Sequence, residues 1–131
     1  MTTVLDTHAL MAFLNAEPGA EAVRQLLFEA NQASAPLLMC SVNVGELYYT
    51  TQRKHGRRKL PELDATLASL PIEMISADVP LAKVAAGFKA TKKMSYADCF
   101  SAALAKVRDA QVVTGDPEFK QVEDDVKVLW I

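Results

Sequence analysis

Five short apolar runs, interleaved with segments of helical periodicity, constrain this chain more than any other feature. The runs are Val4-Leu5, Leu37–Cys40, Ile72–Ile75, Ala110–Thr114 and Val126–Ile131. Each is bounded by turn or helix signals and reads as a strand. After the first, Leu10, Phe13 and Leu14 form a helical pattern that Pro18 and Gly19 break. Val23, Leu26, Leu27 and Ala30 recur at i, i+3, i+4 and i+7 and predict a second helix. Ala35-Pro36 marks the turn into the second strand. Asn43 then opens a helix whose stripe is Val44, Leu47, Tyr48 and Thr51, and another follows with Leu63, Leu67 and Leu70. Leu81, Val84, Ala85 and Phe88 give the next. Ser95 opens a strong helix with Phe100, Ala103, Leu104 and Val107, and Asp116-Pro117 starts a short one. Strands alternating with helices predict a central, mainly parallel sheet covered on both faces, a three-layer α/β/α sandwich. No repeat or linker divides residues 1–131, so one domain is expected.

Composition supports that class. Hydrophobic residues make up 50% of 131, enough for a core without disulfides or structural metal. Cys40 and Cys99 both lie in apolar segments and read as small buried side chains in a reducing compartment. The formal net charge of −2 gives no global attraction for nucleic acid, so such contact requires a local basic patch. Arg53-Lys54-His55-Gly56-Arg57-Arg58-Lys59 is the obvious one, with Lys89, Lys92 and Lys93 as an adjunct. No stretch is long and apolar enough for a membrane span. Asp6 falls where a signal core would have to be apolar, and a cytoplasmic, soluble protein is expected.

Four acids stand out by position: Asp6, Glu46, Asp98 and Asp116. Ligands of parallel α/β sheets bind outside the carboxyl ends of the strands. Asp6 follows the first strand, Glu46 the second by a few residues, and Asp116 the fourth. The Asp98 helix runs into the start of the fourth strand, so its own beginning lies at the carboxyl edge. Each acid also has a local explanation. Asn43-x-x-Glu46 and Ser95-x-x-Asp98 have the form of capping boxes, Asp116-Pro117 that of an N-cap before proline, and Asp6 that of a cap for the first helix. Capping and metal binding need the same place. Four carboxylates at one edge repel each other unless a hard cation lies among them. The cluster therefore predicts a Mg²⁺ site, with Mn²⁺ as a substitute, of the kind that hydrolyses phosphodiester bonds.

The segments Val4-Leu5-Asp6-Thr7, Ser41-Val42-Asn43-Val44-Gly45-Glu46-Leu47, Ser95-Tyr96-Ala97-Asp98-Cys99-Phe100 and Val113-Thr114-Gly115-Asp116-Pro117-Glu118-Phe119 carry a resemblance. In this order and spacing the chain resembles PIN-domain ribonucleases of the VapC toxin type, from bacterial toxin–antitoxin pairs. The resemblance spans almost the whole chain and implies a PIN-like fold and a metal-dependent endoribonuclease. It makes Asp6, Glu46, Asp98 and Asp116 the acidic quartet, with Asp6, Asp98 and Asp116 as metal ligands and Thr114 as a hydroxyl beside them. Glu46 is expected to orient or deprotonate the attacking water. In-line hydrolysis would leave a 5′-phosphate and a 3′-hydroxyl. Implied partners are an RNA substrate, a cognate antitoxin, and a second copy in a homodimer. The basic run itself, through Arg53, Arg57, Arg58 and Lys59, is the expected RNA contact, with a solvated helix end as the alternative. One residue departs from the usual pattern: His8 stands where a smaller side chain is commoner, and it is expected on the helix surface, with contact to the site as the alternative.

Other classes fit less well. A receiver domain needs an aspartate at the end of its middle strand, and Asp78 comes three residues late. A haloacid-dehalogenase phosphatase needs an acid two residues after its first, where this chain has His8. A non-catalytic PIN-like module that binds RNA or protein is the remaining alternative, but such a module is expected to lose some of the acids.

Overall fold

The strands are β1 (Thr3–Leu5), β2 (Leu37–Cys40), β3 (Ile72–Ile75), β4 (Gln111–Thr114) and β5 (Lys127–Trp130). They form one sheet in the order β3-β2-β1-β4-β5, with every neighbouring pair parallel. The computed structural model describes residues 1–131. Six α-helices connect the strands: α1 (Thr7–Leu14), α2 (Ala20–Gln32), α3 (Ser41–His55), α4 (Leu60–Ser69), α5 (Val79–Thr91) and α6 (Tyr96–Val107). Short 3-10 segments lie at Arg57–Lys59 and Pro117–Val122.

Period-2 alternation in the strands separates two cores. Val4, Leu38, Cys40 and Val112 face one side, packed with Leu81, Ala85 and Phe88 of α5 and with most of α6. Leu5, Leu37, Met39 and Val113 face the other, packed with Leu10, Val23, Leu27, Leu47, Leu63 and Leu67. A strand apolar on both faces is stable only when helices cover both. The result is the expected α/β/α sandwich, and its sheet is wholly parallel. The two cysteines are buried and free. Gly19, at φ 97° before α2, fulfils the predicted break, and a side chain there would also collide with Ile131.

Strand β1 is central, and the chain moves outward from it in one direction through β2 and β3, then in the other through β4 and β5. The order reverses between β1 and β4. Their carboxyl ends therefore open a crevice, the usual place for a ligand in such sheets.

One expected cap is not formed. Helix α3 begins at Ser41, two residues before Asn43, and Cys40 precedes it without a side-chain cap. Asn43 is instead completely buried inside the first turn. Its Nδ2 donates to the Ala97 carbonyl at 3.1 Å, and its Oδ1 accepts from Ser101 Oγ at 2.9 Å. Its own carbonyl accepts from Thr7 Oγ1 at 3.1 Å. The amide was drawn inward because α6 offers it both a donor and an acceptor, so both of its polar atoms are bonded. These bonds tie the starts of α1, α3 and α6 together.

Replacing Asn43 by leucine keeps the branched shape, with somewhat greater bulk, but strands the Ser101 hydroxyl. The unfolding free energy measured in urea should fall by about 2 kcal/mol, within the range for an orphaned buried polar group. A loss below about 0.5 kcal/mol, the size of an ordinary surface change, would show that this network carries no weight.

Candidate active site

Each of the acids is placed by local structure. Asp6 leaves β1 in extended conformation and caps α1, its Oδ1 accepting from the Ala9 N–H at 2.7 Å. Asp98 sits in the first turn of α6, where Ser95 Oγ accepts from its N–H at 3.2 Å. Asp116 follows β4 and caps the 3-10 segment, accepting from the Glu118 N–H at 2.9 Å. The capping roles read from sequence at Asp6 and Asp116 are therefore present, and at α6 Ser95 caps without a return bond from Asp98. They coexist with convergence at the crevice, where helix N-termini favour negative charge.

Asp98, Asp116 and Glu118 each bring a carboxylate oxygen to within 4.8 Å of one another. Asp6 is 0% exposed, and its Oδ2 has no hydrogen-bond partner. A lone buried carboxylate oxygen is costly unless a cation or a proton meets it. Thr114 is fully buried beside Asp6, and its hydroxyl accepts from the Asp116 N–H at 2.9 Å. A cleft of about 370 Å³ opens above, lined by Thr7, His8, Glu46, Asp98, Asp116 and Glu118 among others. Glu46 reaches it from the second turn of α3. It stands on the wall, outside the group of three.

Electrostatics register the crowding. Burial pushes Asp6 up to about 6, opposed by the Thr114 hydroxyl, the Ala9 N–H and His8, while the Asp116 charge adds to the rise. Burial is also the main cause for Asp98, raised to about 8, with the charge on Asp116 next, Ser95 opposing, and Asp6 contributing a smaller rise. These carboxyls hold protons well above their ordinary range when only protein surrounds them. The all-oxygen donor set suits a hard divalent ion, which would favour their charged forms.

The PIN-domain family profile matches residues 3–125, a span that contains all of these acids. The chain belongs to the PIN-domain family. No curated protein matches it in sequence. Its fold is similar to that in the crystal structure of VapBC2 from Rickettsia felis bound to a promoter DNA fragment. There the TM-score is 0.76 at 18% identity, covering 100% of this chain and 99% of the other. DNA-bound VapBC from Salmonella typhimurium gives 0.75 at 20%, covering 99% and 98%. VapC20 from Mycobacterium tuberculosis, described as a sarcin-ricin loop cleaving toxin, gives 0.70 at 18%, covering 92% and 95%. At such identities the likeness is one of fold.

Within this PIN domain some residues lie where sequence reasoning did not put them. Glu118 joins the acids because the 3-10 segment turns it back toward Asp116. Its signal was the Asp-Pro-Glu spacing at a cap. His8 is exposed on α1 as expected, yet it also touches the site: its Nδ1 accepts from the Gly115 N–H at 3.2 Å. Lys54 lines a recess beside the cleft, together with His8 and Gly115. Helical spacing from Glu46 through Thr50 to Lys54 could have placed it on that face. The rest of the basic run is exposed. Arg53 stacks over the Tyr49 ring at 4.8 Å, Lys59 pairs with Glu62 at 3.0 Å, and Arg57 and Arg58 have no ion pair. Lys89 is partly occupied elsewhere, donating to the Met94 carbonyl at 2.6 Å.

The raised carboxyls set a pH dependence with an unusual sign. Between 3.8, the ordinary value for an unfolded aspartate, and about 8, folded Asp98 holds more proton than the unfolded chain does. Its contribution to stability is therefore full at low pH and lost as pH rises through that window. The metal-free protein should be more stable to urea at pH 5 than at pH 8, and Asp98→Asn should flatten the slope. Millimolar Mn²⁺ should reverse it, because the ion binds the deprotonated acids. Stability that climbs from pH 5 to pH 8 without metal would contradict this account.

Proposed function

We propose that this PIN domain is a metal-dependent endoribonuclease, the toxin of a VapBC-type pair, hydrolysing RNA phosphodiester bonds. The observation that carries the reading is the buried, unpartnered Oδ2 of Asp6 at a crevice where Asp98, Asp116 and Glu118 converge within 4.8 Å. Capping alone explains one oxygen of Asp6 and leaves the other at a cost. A non-catalytic module gains nothing from that arrangement, which disfavours the alternative role as an RNA- or protein-binding domain.

Asp6, Asp98 and Asp116 would hold Mg²⁺, or Mn²⁺ in its place, with Glu118 near enough to join. The ion would supply a nucleophilic water near neutral pH and offset charge at the phosphorus. The remaining work falls to the chain. Glu46, on the cleft wall, orients the attacking water and accepts its proton. Thr114 fixes the Asp116 backbone and lies against Asp6. Ser95 and the first turn of α6 keep Asp98 aimed at the crevice. Lys54, Arg53, Arg57 and Arg58 give the RNA backbone a basic approach to an otherwise acidic cleft, with Lys59 weaker because Glu62 already holds it.

The partners follow from the same reading. Among the similar structures is a toxin–antitoxin complex from Klebsiella pneumoniae. We assign this chain a cognate antitoxin by analogy with it and with the VapBC structures, and a homodimeric state from the family resemblance. An antitoxin side chain that enters the cleft should be arginine, whose fork matches a carboxylate pair. No helix of the protein is long and apolar enough to cross a membrane.

Asp98→Asn tests catalysis directly. It preserves size and the helix start but removes an anionic ligand. RNA cleavage should fall by at least about a hundredfold, while the folded protein loses the rise in melting temperature that Mn²⁺ gives the wild type. Full cleavage by folded Asp98→Asn would remove Asp98 from the mechanism.

The basic approach has its own test. Replacing Arg53, Arg57, Arg58 and Lys59 by alanine should weaken RNA binding and reduce its dependence on salt, since fewer counterions are released. Adding Lys54→Ala should deepen both effects and leave Mn²⁺ binding unchanged. An unaltered salt slope in the fivefold variant would leave the run as a solvated helix end.

A further inference from the structure

His8 and Met11 are the two residues shared by the acidic cleft and the neighbouring recess that holds Lys54 and Gly115. The imidazole stands at the junction between them. Its Nδ1 accepts the Gly115 N–H at 3.2 Å, and its Nε2 makes no hydrogen bond within the protein. A nitrogen that accepts from a backbone N–H carries no proton, so the ring's proton lies on Nε2. Gly115 makes this approach possible. A Cβ built there would meet His8 Cε1 at 2.4 Å and Nε2 at 3.2 Å. Gly115 is not among the glycines of positive φ, so it serves here by leaving room for the ring. The backbone of the turn before Asp116 thus orients a side chain of α1.

We propose that His8 is a substrate-positioning residue: its Nε2–H donates to a nonbridging phosphate oxygen of an RNA strand passing from the Lys54 recess into the acidic cleft. This rests on the ribonuclease reading above and deepens it. An acidic cleft repels a polyanion, and a donor at its mouth holds the strand where the basic run ends and the carboxylates begin. Gly115 sets the direction of the donor, and the smaller residue commoner at position 8 would not reach so far.

The experiment compares wild type, His8→Ala, His8→Gln and Gly115→Ala on a labelled single-stranded RNA, with steady-state kinetics in Mn²⁺. Binding without turnover is read by fluorescence anisotropy in an Asp98→Asn background. His8→Ala should raise KM and the RNA Kd about tenfold, the effect of one hydrogen bond to a charged group. The kcat and the Mn²⁺-induced rise in melting temperature should change little. His8→Gln, which keeps an amide donor near the Nε2 position, should recover most of the affinity. Gly115→Ala should reproduce the rise in KM by displacing the ring. In ¹⁵N-resolved spectra of the wild type, Nδ1 should appear unprotonated and Nε2 protonated. Unchanged KM and Kd in a folded, active His8→Ala protein would overturn the proposal, as would a proton on Nδ1. Equal losses in His8→Ala and His8→Gln confined to stability would make the Gly115 bond a purely structural tie and overturn it too. A wild-type protein that neither binds nor cleaves RNA would instead remove the ribonuclease reading, and this inference with it.

Discussion

A carboxylate with one oxygen left unpartnered, buried at the end of the central strand, is the constraint on which the arrangement depends. Asp6 is inaccessible to solvent because β1 has a neighbour on both sides and helices on both faces. That placement raises its proton affinity, as burial and the nearby Asp116 charge raise that of Asp98, and negative charge is concentrated where the sheet order reverses. A fold optimised only for stability would put an apolar or fully bonded residue there. The surrounding structure limits the penalty. Three helical or 3-10 N-termini point toward the crevice, the Ala9 N–H satisfies one Asp6 oxygen, and Thr114 organises the turn beside it.

Capping and ligation are one design in this molecule. Asp6 and Asp116 each use one oxygen to end a run of unpaired backbone N–H groups. A carboxylate has acceptor capacity left after one such bond, and the rigid cap aims what remains. Asp98 shows the other arrangement. Ser95 does the capping, and the acid, freed from that duty, stays in the first turn facing its neighbours. Rigid helix starts hold a first shell more firmly than loops would.

The helices are held in register by a different interaction. Asn43 makes its bonds deep between α1, which Asp6 caps, and α3 and α6, which carry Glu46 and Asp98. Apolar packing alone lets helices slide by fractions of a turn at modest expense. A satisfied buried amide does not, since slippage would orphan its donors and acceptors. Geometry at the cleft is thereby coupled to a residue that never reaches it.

Alternation of short strands with amphipathic helices was enough to determine an α/β sandwich, because a strand apolar on both faces has few other stable environments. The carboxyl-edge rule put Asp6, Glu46, Asp98 and Asp116 at one edge. Asp98 and Asp116 meet there, Asp6 is buried at the end of β1, and Glu46 stays on the cleft wall. Those are consequences of local period and chain direction, which a sequence carries openly. Tertiary structure decided the rest. Asn43 sits in a capping-box pattern, yet it turned inward because α6, fifty-odd residues away in the chain, presents Ser101 and Ala97 to it. Glu118 became part of the acidic group only when the turn after Asp116 was specified in space. His8 met Gly115 across a separation of 107 residues through the pairing of β1 with β4 and the space a glycine leaves. Local propensity says where a side chain begins. Which distant donor, acceptor or vacancy it meets depends on the packing of elements that share no local signal.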